Sequence, residues 1–125
     1  EQVEIPNDSK LQTIDESAFS YSAIKSIRIP SSVALIGNRA FSDCMQLKII
    51  DISNDSKLQV IDNHAFYSSA IDSIAIPSSV EYVGNNAFSL CKQLLIVEIN
   101  IEMISINLLA FKNCRNTIFM SPVYY

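Results

Sequence analysis

The fold of this chain is decided by the stretch from Ile71 to Cys91, which reads IDSIAIPSSVEYVGNNAFSLC. Nearly the same wording runs from Ile24 to Cys44, as IKSIRIPSSVALIGNRAFSDC, and looser copies surround both. The dipeptide Ala-Phe marks each copy and returns every 22 to 25 residues, at 18–19, 40–41, 65–66, 87–88 and 110–111. A period of this size indicates a solenoid, in which each repeat stacks on the next.

Composition places the chain among globular proteins and argues against two kinds of partner. The 125 residues suffice for one domain, with 49% apolar and 18% charged residues. A net charge of −4 without any Lys/Arg run argues against nucleic acid, whose binding needs a clustered basic surface. We expect no membrane span, because no apolar stretch approaches the roughly 20 residues required. Glu1 begins no signal peptide, and the chain starts at full repeat strength, as expected of a processed product or a piece of a longer array.

Each repeat begins with an alternating apolar pair that predicts a short strand. The pairs are Val3/Ile5, Ile27/Ile29, Ile50/Ile52, Ile74/Ile76 and Val97/Ile99. Alternation of β-branched residues is typical of a strand with one face on a core. Pro6, Pro30 and Pro77 follow directly and end the strand, because proline lacks a ladder N–H. Strands one repeat apart should pair in parallel at about 4.8 Å and form a sheet along one side.

The second half of each repeat predicts a compact turn around Ala-Phe. An aliphatic residue stands five positions before each phenylalanine. The position directly after it is occupied by Asp15, Gly37, Asp62, Gly84 and Asn107. These residue types tolerate a left-handed backbone, so we predict positive φ or a tight turn there. The polar-polar-small-apolar order that comes next, as in 38–41, favours one helical turn or a 3₁₀ segment. The phenylalanines should stack as an interior spine, with offset or edge-on contacts about 5 Å apart.

These columns resemble the leucine-rich repeats of the BspA-like class, whose pattern runs L-x-x-I-x-I-P-x-S-V-x-x-I-G-x-x-A-F-x-x-C. The likeness is close over 24–44 and 71–91, looser elsewhere, and extends from residue 1 to about 117. It implies a right-handed solenoid with a parallel sheet on its concave side and short helical or 3₁₀ turns on its convex side. On this reading, residues 1–125 form a single domain of about five repeats, and 115–125 form a degenerate terminal strand or cap.

The resemblance also implies a kind of protein. Members of this class are surface-exposed proteins of bacteria and of parasitic protists such as trichomonads. Some are implicated in adhesion to host matrix proteins or to other microbes. The alternation of Asn-Asp-Ser-Lys-Leu loops with Ile-Pro-Ser-Ser-Val is most similar to the protist branch.

The residues able to carry chemistry form no catalytic pattern. His64 is the only histidine, and nothing in the sequence pairs with it as a triad or a ligand set. Cys44, Cys91 and Cys114 share one column without zinc-site spacing, so we interpret them as small buried residues. A disulfide between Cys91 and Cys114, which lie on adjacent coils, stays open as an alternative. We expect no enzyme activity, no metal and no cofactor.

Two loops carry the pattern of a glycosylation acceptor, Asn7-Asp8-Ser9 and Asn54-Asp55-Ser56. Turn chemistry alone also explains them, because Asn, Asp and Ser all favour loops. We favour the turn reading unless the protein is secreted from a eukaryotic cell. Asn7 and Asn54 are therefore kept as candidate modification sites.

The outward side of the strands is the candidate binding site. Alternation places six residues there: Arg28, Ile49, Asp51, Ser73, Ile96 and Glu98. Arg28 should lie between Glu4 and Asp51 on neighbouring strands, as in an exposed ion-pair ladder. Ile49 and Ile96 are apolar residues among charges, which is typical of a partner site. Their strand propensity explains them equally well without a partner.

We therefore predict a non-catalytic protein-binding module, a segment of a cell-surface adhesin whose concave face binds a host or microbial protein. End-to-end self-association through the ends of the array is a further expectation. The alternative is a cytoplasmic structural or scaffold repeat protein. Free thiols at all three cysteines and the absence of glycan would favour that alternative.

Overall fold

The chain folds as a parallel-strand β-solenoid, described in a computed structural model for residues 2–99 and 105–121. Successive coils place their strands on two faces. The long-strand face holds β1 (Gln2–Val3), β3 (Ser26–Ile29), β5 (Ile49–Ile52), β7 (Ser73–Ala75), β9 (Ile96–Glu98) and β11 (Ile118–Met120). The short-strand face holds β2 (Thr13–Ile14), β4 (Leu35–Ile36), β6 (Val60–Ile61), β8 (Tyr82–Val83) and β10 (Ser105–Ile106).

The long-strand face confirms the parallel sheet that the alternating pairs predict. Its strands pair in register, so that Ile27 lies beside Ile50, and Ile74 beside Val97. The inward members of the central strands are buried: Ile27, Ile29, Ile50, Ile74, Ile76, Val97 and Ile99. The short-strand face was not predicted, because a strand of two residues is too short to show alternation.

The long-strand face consists of two sheets rather than one. Strands β1, β3 and β5 form the first, and β7, β9 and β11 form the second. Within the described residues no ladder hydrogen bonds join β5 to β7, although they lie on successive coils. The short-strand face continues across this step through β6 and β8. The two halves of the solenoid are therefore joined by the short-strand face, the turns and the core.

The third side, here called the turn face, comprises residues 15–22, 37–44, 62–69, 84–91 and 107–114. Its backbone N–H groups bond alternately within a coil and across to the next one. In the second segment, Ala40 N donates to Gly37 O at 3.1 Å, whereas Phe41 N donates to Ala65 O at 2.7 Å. The same alternation recurs in the first and third segments. Every coil is thus tied to its neighbour by hydrogen bonds on this side as well.

The expected helical or 3₁₀ turns are therefore wrong, and no helix lies within residues 2–99 and 105–121. A 3₁₀ helix requires consecutive i→i+3 bonds, but here every second N–H leaves the coil. The backbone also turns left-handed twice in most segments, with φ of 60° at Arg39 and 59° at Asp43. Left-handed non-glycine residues cost about 1–2 kcal/mol each. The bonds between coils offset that cost.

The prediction for the glycine column is half right. A tight turn does begin there, since Ala40 N bonds back to Gly37 O, and Ala87 N to Gly84 O. Neither glycine has positive φ, however; the left-handed residues lie two positions later. The glycines are required for space instead. A Cβ on Gly84 would lie 2.5 Å from Asn63 Oδ1 and 2.7 Å from Asn63 N in the preceding coil.

The phenylalanine spine is confirmed. Rings of successive coils, from Phe19 to Phe111, have centroids 5.0 to 5.3 Å apart and planes within 7° of parallel. Parallel rings at this separation are offset, because direct overlap would bring them to about 3.5 Å. Phe41, Phe66 and Phe88 are fully buried, and Phe119 ends the column with an edge-on contact to Phe111 at 4.9 Å.

Replacing a central phenylalanine of the spine should remove its ring contacts with both neighbouring coils. We expect Phe66→Ala to lower the free energy of unfolding by about 3–5 kcal/mol, the usual cost of a buried aromatic side chain. Urea unfolding followed by circular dichroism measures the change. Phe19→Ala, at the half-buried end of the column, is the control and should cost less. An equal or smaller loss at Phe66 would contradict a continuous spine.

The glycine column gives a second test, because its role is space rather than φ. Gly84→Ala should destabilise the protein by about 1–3 kcal/mol, as overpacking does. Asp15→Ala is the matched control in the same column, where a Cβ already exists, and should stay within about 0.5 kcal/mol. Thermal unfolding of both variants compares them directly. Equal stability of Gly84→Ala and the parent chain would reject the steric explanation.

Candidate functional site

The candidate site is the outward side of the long-strand face. All six residues predicted for it are exposed: Arg28, Ile49, Asp51, Ser73, Ile96 and Glu98. Parallel pairing places them in columns, with Ser26 beside Ile49 and Ser73 beside Ile96. Ile49 is 61% exposed and Ile96 is 43% exposed, which is high for large apolar side chains.

The structure divides these residues between the two sheets of the face. Arg28, Ile49 and Asp51 belong to β3 and β5, whereas Ser73, Ile96 and Glu98 belong to β7 and β9. The two isoleucines are therefore not neighbours. The strand that carries Ser73 lies between them.

The predicted ion-pair ladder forms only in part. Arg28 Nε lies 3.9 Å from Asp51 Oδ2, and both side chains are more than half exposed. In the described part of the chain this is the one ion pair within 4 Å, so Glu4 does not join it. An exposed pair of this kind contributes under about 1 kcal/mol to stability. Its larger effect is to present two opposite charges side by side on the face.

Sequence reasoning missed an apolar extension of the face. Ile118 pairs with Ile96, and Met120 pairs with Glu98, so β11 extends the outward columns. Ile118 is 62% exposed and Met120 is 48% exposed. Together with Ile96 they form an apolar band at one end of the face. The available signal was the strand-like run 117–120, whose register on β9 places Ile118 next to Ile96.

The cysteines have a structural role. Each thiol donates a hydrogen bond to a phenylalanine carbonyl of the preceding coil: Cys44 to Phe19 at 3.0 Å, Cys91 to Phe66 at 3.1 Å and Cys114 to Phe88 at 2.9 Å. Burial raises the pKa of all three thiols, and raises that of Cys91 to about 12. A thiol with a raised pKa is a poor nucleophile and metal ligand. All three are free, so the alternative of a Cys91–Cys114 disulfide is not formed.

The two candidate glycosylation loops have exposed asparagines and engaged serines. Asn7 and Asn54 are both exposed. Ser9 Oγ accepts a hydrogen bond from Leu11 N at 3.0 Å, and Ser56 Oγ accepts one from Leu58 N at the same distance. These equivalent bonds close the two loops in the same way, which is the turn chemistry weighed above.

No group of three or more His, Cys, Asp or Glu side chains in 2–99 and 105–121 is arranged to hold a metal ion. Over those ranges there is also no helix of the length and apolarity that crossing a bilayer requires. His64 lies half-buried on the turn face, where burial and then Arg39 lower its pKa.

Comparison with solved structures finds the same architecture. The pneumococcal vaccine antigen PcpA is 34% identical, with a TM-score of 0.71 over 74% of this chain and 23% of that one. A leucine-rich cell surface protein from Faecalibacterium prausnitzii is 29% identical, with a TM-score of 0.60 over 66% and 22%. A leucine-rich repeat protein of T. pallidum, 23% identical with a TM-score of 0.77 over 96% and 68%, shares the fold. The chain spans less than a quarter of the first two proteins.

Comparison with families is more specific. No curated protein matches the chain significantly. The family model described as a BspA type leucine rich repeat region matches residues 1–118 in six copies. Because that match covers nearly the whole sequence and agrees with the stacked coils, the chain belongs to the family of BspA-type leucine-rich repeats.

Proposed function

We propose that this chain is a non-catalytic protein-recognition module that binds a host or microbial protein through its long-strand face. The observation that carries the proposal is the exposed apolar band of Ile96, Ile118 and Met120. Monomeric proteins rarely leave adjacent large apolar side chains in water unless a partner covers them. The resemblance to BspA-like repeats implies that this face is the concave side of the solenoid.

The face combines exposed apolar and charged side chains, as protein-binding surfaces do. Its exposed apolar side chains would supply affinity, and the charged groups near them would select the partner. Arg28 and Asp51 stand on the first sheet, while Ile49 adds a second apolar contact beside them. Ser73 and Glu98 border the band on the second sheet. An extended partner that crosses successive strands would reach all six predicted residues.

The solved relatives support a surface location. One is a vaccine antigen of pneumococcus, and another is described as a cell surface protein. Because this chain covers under a quarter of each, we propose that residues 1–125 act as one repeat domain within a cell-surface adhesin. Residues 115–125 would be its terminal strand or cap; β11 lies within them, and 122–125 lie outside the described residues. End-to-end self-association is a further part of the proposal.

A second candidate is a cytoplasmic scaffold. Its supporting observation is the three free thiols, since disulfides are rare in reducing compartments. Burial and a raised pKa also protect thiols in an oxidising compartment. Labelling of intact cells with a membrane-impermeant reagent separates the two candidates. Surface labelling supports the adhesin, and labelling only after lysis supports the scaffold.

The binding face is tested by placing charge in its apolar contacts. The double change Ile49→Asp and Ile96→Asp should weaken binding to immobilised extracellular-matrix or bacterial surface proteins at least about tenfold, or about 1.4 kcal/mol. Both side chains are exposed, so the melting temperature should change little. Surface plasmon resonance on each protein in turn measures the loss.

Leu108→Asp is the matched control, because Leu108 is 99% exposed and lies off the long-strand face. It makes the same apolar-to-acidic change and should leave binding intact. Retained binding by the double variant would reject the assignment of this face. A parent chain that binds none of these proteins would reject the adhesin itself.

A further inference from the structure

The turn face carries a second concavity, distinct from the long-strand face. It is a shallow depression of about 290 Å³ that spans the turn segments of four coils. The polar side chains that line it include Arg39, His64, Tyr67, Asn86, Lys112 and Asn113. Residues of the second segment of the turn face line one end of the depression, and residues of the fifth segment line the other end. The stacking of coils therefore assembles it from residues up to 74 positions apart in sequence.

The depression is positively charged in an acidic protein. The whole chain has a net charge of −4, yet the residues lining this site include Arg39 and Lys112 and, among described residues, no carboxylate. Neither cation forms an ion pair within 4 Å in the described part of the chain. Both cations line the same depression, so an anion that enters it lies in the field of both charges.

Two polar side chains, Asn86 and Ser89, form a network beside the ring of His64. Asn86 Nδ2 lies 3.5 Å from His64 Nε2, and Ser89 Oγ lies 2.8 Å from Asn86 Oδ1. The amide accepts from the serine, and its Nδ2 donates to the ring nitrogen when His64 Nε2 carries no proton. The ring of Tyr67 lies beside that of His64, with centroids 5.5 Å apart. His64 therefore lines the depression, and the ring of Tyr67 lies beside its own ring.

The same network also accommodates protonated His64. If the Asn86 amide turns by half a rotation, Oδ1 accepts from the Nε2–H, and Nδ2 donates to Ser89 Oγ. The Ser89 hydroxyl then donates its own proton to Leu109 O, which lies 2.9 Å from Ser89 Oγ. After protonation the Nε2–H, Asn86 Oδ1 and the Ser89 hydroxyl therefore each have a partner. It adds a third positive charge to the wall.

We propose that this depression is a binding site for one oxyanion, a carboxylate in particular, held between Arg39, Lys112 and His64. The amides of Asn86 and Asn113 would supply hydrogen bonds to the anion or to the molecule that carries it. The depression is large enough to hold a group of the size of a monosaccharide. The carboxylate can come from a simple organic acid or from an acidic sugar, and the two sources share the same recognition chemistry.

The sign of the pH dependence follows from the groups that face His64. Burial and the charge of Arg39 lower the pKa of His64 in the free protein; Lys112 and Tyr67 line the same depression, and no carboxylate opposes them among the described lining residues. A bound anion favours the imidazolium and raises that pKa. The anion therefore binds more tightly as the pH falls through the pKa of His64. A rise of one pKa unit corresponds to about tenfold tighter binding to the protonated form.

His64 is the only histidine, so its ring resonances report on the site without ambiguity. Nuclear magnetic resonance would follow the His64 pKa in the whole 125-residue chain at constant ionic strength, with glucuronate, acetate or glucose added. We expect glucuronate to raise the pKa saturably, with a dissociation constant on the order of 1 mM. Glucose, which lacks the charge, should leave the pKa unchanged. If acetate equals glucuronate, the site recognises the carboxylate alone; if glucuronate binds more tightly, it recognises the sugar as well.

Charge-neutral variants identify the residues that hold the anion. Arg39→Gln should raise the pKa of His64 in the free protein, yet weaken glucuronate binding about threefold to tenfold, as loss of one exposed charge contact does. Lys112→Gln should weaken binding similarly. Lys48→Gln removes an equal charge beside the long-strand face and is the control, with no effect. The proposal is overturned if glucuronate leaves the pKa unmoved, if glucose moves it equally, or if Arg39→Gln binds as the parent chain does.

Discussion

The structure depends on one spacing, the rise of about 5 Å from each coil to the next. Parallel strands set it through their hydrogen bonds, and the phenylalanine rings repeat it at 5.0 to 5.3 Å. The turn face adds bonds such as that from Phe41 N to Ala65 O. The ring column and the short-strand face keep this rise even between β5 and β7, where the ladder of the long-strand face is interrupted. The same spacing explains the glycines and cysteines. Gly37 and Gly84 leave room for the backbone of the preceding coil, and each thiol donates a hydrogen bond to a phenylalanine carbonyl of that coil.

Inside the solenoid the columns are uniform, whereas outside they differ from coil to coil. The inward column of strands is Ile or Val from Val3 to Val97, and Phe119 takes that place in β11. The outward column beside it runs from Ser26 through Ile49 and Ser73 to Ile96 and Ile118. Uniform packing therefore fixes the framework and leaves the surface free to vary. Both candidate binding surfaces, on the long-strand face and in the turn-face depression, arise where varied side chains meet across coils.

Much of this could be predicted from the sequence, because the repeat makes every requirement appear five times. The Ala-Phe period predicts the stacked coils, and the alternating pairs predict the inward members of β3, β7 and β9. The turn face could not be predicted, since residues such as Asn38-Arg39-Ala40-Phe41 suit a helical turn locally. In the structure every second N–H bonds to a carbonyl of the next coil, and that contact cannot be seen in the sequence of one repeat. The break between β5 and β7 also has no counterpart in the sequence pattern, and we have no physical account of it.

Scalar couplings across hydrogen bonds, measured by nuclear magnetic resonance between amide nitrogens and carbonyl carbons, test the bonding between coils most directly. The structure predicts a coupling from Phe41 N to the carbonyl of Ala65 in the next coil, and the equivalent one from Phe66 N to Ala87. A coupling from Phe41 N to the carbonyl of Asn38, as in a 3₁₀ helix, would show that the coil closes on itself. That result would contradict the rung-by-rung bonding on which the rest of the structure depends.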